Sequence, residues 1–444
     1  MRALDRPIPL LLCLGVAVAG AWAPRAGAPA PTKPPPGARA IAIRGVAILD
    51  GTGSAPLRNG AIVIRNGRIA AVGPARRIPL PRDAWVLDAN GLTALPGLIE
   101  MHAHTTVQPG LLGYWLALGV TSLRDLGCSE ERLPELLRWR EEIAAGRRRG
   151  PRLFVSGPPI DGDRPASRVF AGARVRTEEE AVAAVARLAE RGVDVIKLYR
   201  GLSPRLARAA IAEAHRRRLP VTWDYRWNFR YVLEAVLAGT DGLEHVYYSE
   251  RSSRAELEQL AESIGSRRLW FTPTLVAFRP PDAAVVDDPD FRYLPDHLLA
   301  FWRGLFWPME TEQEFATMQT FVRLVRQYGG QIVAGTDAPV KYVAPGFALH
   351  RELALLRQCG LSPLEAIQAA TRNAARALHR ESELGTLERG KRADLILVAG
   401  DPLRDLGALR RLRWVMQEGR LHRAADLLAE ARAIAAAARP AAER

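Results

Sequence analysis

The chain has 444 residues, too many for one minimal core, and suits a barrel of ~250 residues with further domain material. Its hydrophobic content of 48% and charged content of 25% are those of a globular protein. The formal charge of +14 is almost all arginine, and the densest runs are only Arg147-Arg148-Arg149 and Arg216-Arg217-Arg218, with no basic stripe interleaved with aromatics, which argues against nucleic acid as a partner.

At the N-terminus, Arg2 and Arg6 precede an apolar run from Ile8 to Ala23 that is short for a membrane span. Small-residue sites follow at Ala21-Trp22-Ala23 and Ala26-Gly27-Ala28, and the chain then turns Pro-rich through Pro36. We expect a signal peptide over 1–28 and a linker over 29–39, giving an exported protein, periplasmic or secreted, without stable membrane insertion after cleavage. Cys13 follows Leu12 rather than a small residue, against a lipoprotein; Cys128 and Cys359 remain and could pair in an oxidising compartment.

From residue 40 to 96 the pattern is all strand. Ile41 to Leu49 is followed by Ala61-Ile62-Val63-Ile64-Arg65, an Asn66-Gly67 turn and Arg68-Ile69-Ala70-Ala71-Val72. Asn-Gly between apolar runs signals a hairpin, because both residues tolerate positive φ. The same texture returns over 385–422, in Leu395-Ile396-Leu397-Val398 and Arg413-Trp414-Val415-Met416, so one small β domain built from both ends is expected, followed by a helix or tail over 423–444.

Between them, over 97–384, strands and helices alternate. The first strand, Leu98-Ile99-Glu100-Met101-His102-Ala103-His104, follows Pro96-Gly97. Later strands centre on Thr121–Asp125, Arg152–Ser156, Val193–Leu198, Pro220–Trp223, Gly242–His245, Leu269–Thr272 and Gln331–Thr336. Ser203-Pro204 caps the clearest helix, which is expected to run to about Arg218. Eight strands suit a closed parallel barrel better than an open sheet. The longest interruption, 279–319, is rich in Pro, Asp, Phe and Trp and is read as a lid over the barrel mouth in preference to an outer insertion.

In a barrel, side chains at strand C-termini converge on one face. His102 and His104 share one face of the first strand, since successive side chains alternate, and form a chelating pair for a borderline metal such as zinc. A later strand delivers Lys197, in a chain that almost never uses lysine. It is either a snorkelling or ion-paired lysine, or an amine that captures CO2 as a carbamate and bridges two metals. His245 and Asp337 stand at two further strand ends, although a carboxylate there can also cap a helix.

Several motifs together resemble the metal-dependent amidohydrolase superfamily. They are Pro-Gly-Leu-Ile-x-x-His-x-His at 96–104, Gly119-Val120-Thr121-Ser122-Leu123-Arg124-Asp125, Val195-Ile196-Lys197, Glu244-His245, Gly335-Thr336-Asp337-Ala338, Gly360-Leu361-Ser362-Pro363 and Gly385-Thr386-Leu387-Glu388-Arg389-Gly390. The nearest branch holds imidazolonepropionase-like proteins and prolidase-like dipeptidases. The resemblance covers about residues 40–403 and implies an α/β fold, a (β/α)8 TIM barrel with a small β-sandwich from both ends.

The resemblance also implies a ligand set. His102, His104 and Asp337 would hold one divalent ion, Lys197 would bridge as a carbamate, and His245 with Asp224 would hold a second. Zinc is expected, with manganese or iron as alternatives. Relatives usually carry histidine where this chain has Asp224, in Pro220-Val221-Thr222-Trp223-Asp224, and Asp where it has Glu100. Asp337 would act as general base then acid, and His245 could polarise the carbonyl. Arg124, Tyr199, Arg200 and Arg226 lie near strand ends and could hold a substrate carboxylate.

The expected activity is hydrolysis of amide or cyclic-amide C–N bonds in a small molecule, as in a dipeptidase. A degenerate binding protein and a one-metal deaminase are the alternatives, and a homo-oligomer is compatible with all three. The loops over 157–174 and 279–319 carry no recognisable substrate code.

Overall fold

The computed structural model describes residues 39–163, 172–225, 229–246, 253–280, 285, 287–305 and 310–438. The signal peptide, nearly all of the Pro-rich linker, and Arg226 lie outside the described residues.

Strands from the two ends of the chain join in one sheet. β1 (Ala40–Ile48), β2 (Leu57–Arg65), β3 (Arg68–Pro74), β4 (Ala84–Asp88) and β5 (Leu92–Pro96) come from the N-terminal side. The C-terminal side supplies three more: Leu395–Ala399, Leu412–Gln417 and Arg420–Arg423. Leu395–Ala399 pairs antiparallel with β5 on one edge and Leu412–Gln417 on the other, so the late segment completes the early one. The eight strands are hydrogen-bonded into one sheet. Its apolar residues, among them Ile43, Ile62, Ile64, Leu87, Leu397 and Met416, form a core of their own. The β2–β3 hairpin turns on Asn66 and Gly67, both at positive φ (51° and 73°), as that dipeptide predicts.

The alternating middle gives two parallel sheets. β6 (Leu98–Ala103), β7 (Val120–Asp125) and β8 (Arg152–Val155) form the first. β9 (Ile160–Asp161), β10 (Ala173–Arg174), β11 (Ile196–Leu198), β12 (Val221–Asp224), β13 (Gly242–Glu244), β14 (Trp270–Thr272) and β15 (Gln331–Ile332) form the second. The short β9 and β10 add to the expected strands; they lie in the 157–174 loop region, and β9 pairs with β11 at Leu198. Backbone bonds also run from Asp194 N to Val155 O (2.7 Å) and, beyond β15, from Met101 N to Ala334 O (3.0 Å) and Asp337 N to His102 O (2.8 Å). The last strand segment therefore lies beside the first.

Helices cover these strands, and their starts follow local chemistry. Pro204–Arg216 begins at Ser203, whose hydroxyl accepts from Leu206 N, with proline at the first helical position. Glu312–Gln327 begins at Thr311 with a reciprocal capping box to Glu314. That helix leads directly into β15, so the expected insertion ends near Thr311 rather than at Gln319. Its described part is tied down by Asp288 and Asp290, both paired with Arg351, and by Trp302, fully buried, whose indole donates to Pro339 O (3.0 Å). It packs against the loop after Asp337, with Phe291 stacked on Tyr342. Replacing Trp302 with alanine would cost about 3–5 kcal/mol.

Cys128 and Cys359 are both buried and unpaired, so the disulfide that an oxidising compartment would allow is not formed. No helix among the described residues is long and apolar enough to cross a membrane.

Candidate metal centre

The end of β6 carries the first two side chains. His102 is fully buried and His104 nearly so, their rings 5.3 Å apart between centroids. His102 Nδ1 lies 2.8 Å from Glu244 Oε2 at the end of β13. A carboxylate oxygen only accepts, so Nδ1 carries the hydrogen and Nε2 keeps its lone pair. His104 Nδ1 faces the carbonyl of Gly127 at 3.3 Å. Burial, then the charge of Lys197, holds His102 well below the ordinary imidazole range, so it is neutral near pH 7.

Asp337 Oδ1 lies 3.5 Å from His102 Nε2 and 3.1 Å from His104 Nε2. Burial opposes ionisation of Asp337, but the hydrogen bond to His104 and the nearby imidazoles outweigh it and hold the carboxyl below its usual range. Ligand atoms of His102, His104 and Asp337 all lie within 4.8 Å of one another. The two Nε2 atoms and a carboxylate oxygen thus converge. That donor set fits a divalent cation, and a pair of histidines with one carboxylate is a known zinc set.

The second cluster lies beside it. Lys197 Nζ on β11 is 3.5 Å from His102 Nε2 and 3.7 Å from Asp224 Oδ2 at the end of β12. His245, just past β13, places Nε2 3.2 Å from the same Asp224 oxygen and Nδ1 2.9 Å from Thr274 Oγ1. Arg200 Nε donates to the other oxygen, Asp224 Oδ1, at 2.8 Å. Burial again opposes ionisation, and Arg200, then His245 and Lys197, pull the Asp224 carboxyl far below its usual range. His245, Thr274 and Asp337 all adopt left-handed backbone (φ 71°, 51° and 64°), a conformation that costs these residues about 1–3 kcal/mol each and clusters at functional sites.

Beneath the ligand atoms runs a layer of supporting bonds that strand pattern alone does not reveal. Glu244 takes Arg124 Nη2 (2.5 Å) and the Thr222 hydroxyl on Oε1 while Oε2 holds His102. Glu100 accepts from His102 N (3.1 Å), Thr336 N (2.9 Å) and Thr336 Oγ1 (2.8 Å), and burial pushes its carboxyl up to about 8. Asp125 Oδ2 accepts from both N and Oγ1 of Thr105, one residue past His104.

The expected substrate-holding residues are placed differently. Arg124 is buried below the cluster, donating to Met101 O (2.6 Å), Glu244 and Thr272 Oγ1, so its guanidinium is committed to the interior and is not offered to a substrate. Arg200 is committed to Asp224. Tyr199 is nearly buried, its ring 5.3 Å from Lys197 Nζ and 5.4 Å from the Arg200 guanidinium carbon.

Known proteins resemble this chain over most of its length. It is 27% identical to the ochratoxinase of Aspergillus niger over 420 residues, covering 79% of each protein. It is 26% identical over 366 residues to a 5-methylthioadenosine/S-adenosylhomocysteine deaminase of Moorella thermoacetica, covering 76% of this chain and 81% of that one. A solved Xaa-Pro dipeptidase with bound methionine superposes with a TM-score of 0.69 at 22% identity, covering 86% of this chain and all of the other, a likeness of fold. The profile of the amidohydrolase family matches residues 93–421, from β5 through the strand Arg420–Arg423, and so spans both the parallel strands and the candidate centre. This chain belongs to the amidohydrolase family.

Proposed function

We propose that the protein is a metal-dependent hydrolase of C–N bonds in small amides, with dipeptides as the first substrates to try. The observation that carries this reading is the convergence of ligand atoms of His102, His104 and Asp337, all within 4.8 Å of one another. The likeness of fold to an Xaa-Pro dipeptidase is the reason to begin with dipeptides. We read the two parallel sheets as one closed (β/α)8 barrel, supported by the backbone bonds between β6 and residues 334–338.

His102, His104 and Asp337 would hold a zinc ion, or manganese or iron. A divalent ion in such a set supplies an acidified water, with a pKa near ~7, and polarises a carbonyl. The chain's own residues do the rest. Glu244 keeps His102 in the tautomer that presents Nε2. Asp337, ionised near neutral pH and with a side chain 12% exposed against 0% and 6% for the two histidines, is the member most open to the mouth. It takes the proton from the attacking water and returns it to the leaving nitrogen, so no net proton is gained or lost. Lys197, Asp224 and His245 form a further candidate set next to it. The N-terminal pattern adds the proposal of export, which an N-terminus between about Pro24 and Ile41 on the cell-envelope protein would support.

The test is metal analysis of the purified full chain with hydrolysis of a dipeptide panel before and after chelation. Activity lost on chelation and restored by zinc or manganese is expected. Full hydrolysis by thoroughly stripped protein would sink the metal reading. Ammonia release without new amine and carboxyl groups would point to a deaminase instead.

A further inference from the structure

We propose that a cavity at the opposite end of the parallel strands from the candidate metal centre binds a small dianion with an apolar body, the chemistry of an aryl phosphate, through Arg380 and Arg420. The cavity holds about 680 Å³, within the range of small-molecule sites, roughly 300–1,000 Å³. Its lining includes Arg152, Leu153 and Phe154, the first three residues of β8, whereas His102 stands near the end of β6, and β6, β7 and β8 run parallel. Gln417, Glu418 and Arg420, from the sheet built by both chain ends, form another side. A ligand there would touch both parts of the molecule.

Five arginines and three carboxylates line the cavity, and the carboxylates are already matched. Asp194 accepts from Arg140 Nη1 at 3.0 Å. Glu418 accepts from Arg152 Nη2 at 2.7 Å and Arg392 Nη1 at 3.2 Å, and Glu383 from Arg392 Nε at 3.2 Å. Asp394 and Arg68 join this network without lining the cavity and add one charge of each sign. Arg380 and Arg420 are left over: among the described residues neither guanidinium has an ion pair or a hydrogen bond. Burial opposes ionisation of Glu383, and Arg392, then Arg68 and Arg380, hold its carboxyl below the usual range, Arg380 from beyond ion-pair distance. The lining therefore has an excess of two positive charges, the complement of a dianion.

Both surplus arginines are placed by packing rather than by a carboxylate. The Arg380 guanidinium carbon lies 6.0 Å from the centre of the Phe154 ring, within reach of its π face. A side chain on Gly146 would collide with the Arg420 guanidinium, so that arginine lies against bare backbone. Gly146 follows Ala145, the C-cap of the helix Leu133–Ala144, where the helix dipole favours a cation. Neither contact consumes an N–H donor, so both forks remain for the oxygens of a phosphate. Ile143, Leu153, Phe154 and Leu384 supply an apolar wall beside them. Inorganic phosphate would use the arginines and leave this wall wet, whereas an ester covers it and gains from its dehydration.

The experiment titrates phenyl phosphate into the full chain, stripped of metal by chelation so that no ion competes for the phosphate, at about 0.15 M salt, which screens exposed charges beyond about 8 Å. Saturable one-to-one binding is expected, at least about 10-fold tighter than that of inorganic phosphate, since the ring is buried. Arg380→Met and Arg420→Met should each weaken it about 10-fold or more, as loss of a charge-assisted bond does. Arg208→Met, which removes an exposed arginine on Pro204–Arg216, should leave it unchanged. No binding at millimolar phenyl phosphate, equal binding of inorganic phosphate, or unchanged binding in the two cavity variants would overturn the proposal. Equal weakening in Arg208→Met would reduce the effect to net charge and overturn it as well. Circular dichroism checks the fold of each variant. Should the methionine variants not fold, Arg420→Lys decides, because it keeps the charge without the fork: weaker binding is expected, and unchanged binding would overturn the proposal.

Discussion

Asp337 and Asp224 are the same residue type, both buried at strand ends a few ångströms from His102, and both held ionised against the cost of burial. For Asp337 the hydrogen bond to His104 and the nearby imidazoles do this. For Asp224 a guanidinium is the leading cause, donating to one oxygen, Oδ1. A third buried carboxylate, Glu352, has neither. Among the described residues it accepts from Leu275 N (3.1 Å) and Val276 N (2.8 Å), and burial pushes it up to about 8. The same carboxyl group is therefore a candidate metal ligand, a partner in an internal salt bridge or a weakened acid according to which groups the fold places beside it.

Exchanging the first pair breaks the comparison most directly. Asp337→Asn should lower kcat/KM for a cleaved dipeptide by about 10²–10⁴-fold, the usual weight of a general acid–base group, and should lose its zinc. Asp224→Asn should keep one zinc per chain and lose less activity. Equal loss of metal in the two variants would erase the distinction.

The next effect sharpens what makes the His102 side receptive. Glu244→Gln can still sit beside His102 but can present an amide N–H, which disfavours the Nδ1–H tautomer. Zinc affinity should fall about 10–100-fold, read by competition with a chelator, with the folded circular dichroism spectrum unchanged. An unaltered affinity would show that the tautomer of His102 is set by other contacts.

Glu352→Gln gives the smallest effect and reports on stability alone. The folded value of about 8 lies above the ordinary 4.5, so between those limits the native protein holds a proton that the unfolded chain releases. Stability from this group is complete below about 4.5 and is lost as the pH rises through about 8. The glutamine variant should melt with the wild type near pH 5 and above it at pH 9, with roughly 1 °C gained for each kcal/mol relieved in a chain of this length. Identical melting at pH 9 would show that Glu352 ionises without cost.

Much of this is legible in the chain itself, for a definite reason. Buried strands read as short apolar runs, and His102, His104, Lys197, His245 and Asp337 stand out because they end such runs. What cannot be read depends on partners far apart in sequence. Arg124 looks like a rim arginine until β13 brings Glu244 across the interior to it, 120 residues on. Asp224 is bonded by Arg200, which precedes a turn at Gly201 held on Asp161. The end of the insertion is a different case, since Thr311 and Glu314 form a capping box whose residues are plain in the sequence. β9 and β10, two residues each, are too short to show any periodicity.

The sheet built from both ends has a consequence for how the protein comes into being. β5 is complete once Pro96 is made, but its partner on one side is Leu395–Ala399, synthesised about 300 residues later. At ribosomal speeds of about 5–20 residues per second, that edge waits roughly 15–60 s for its neighbour. During that interval Leu92–Pro96 presents an unpaired apolar strand edge, the feature most prone to join a second chain. The nascent protein is thus exposed to aggregation at a point remote from its chemistry, and a holding chaperone that binds this edge would raise the yield of folded enzyme without touching the finished molecule.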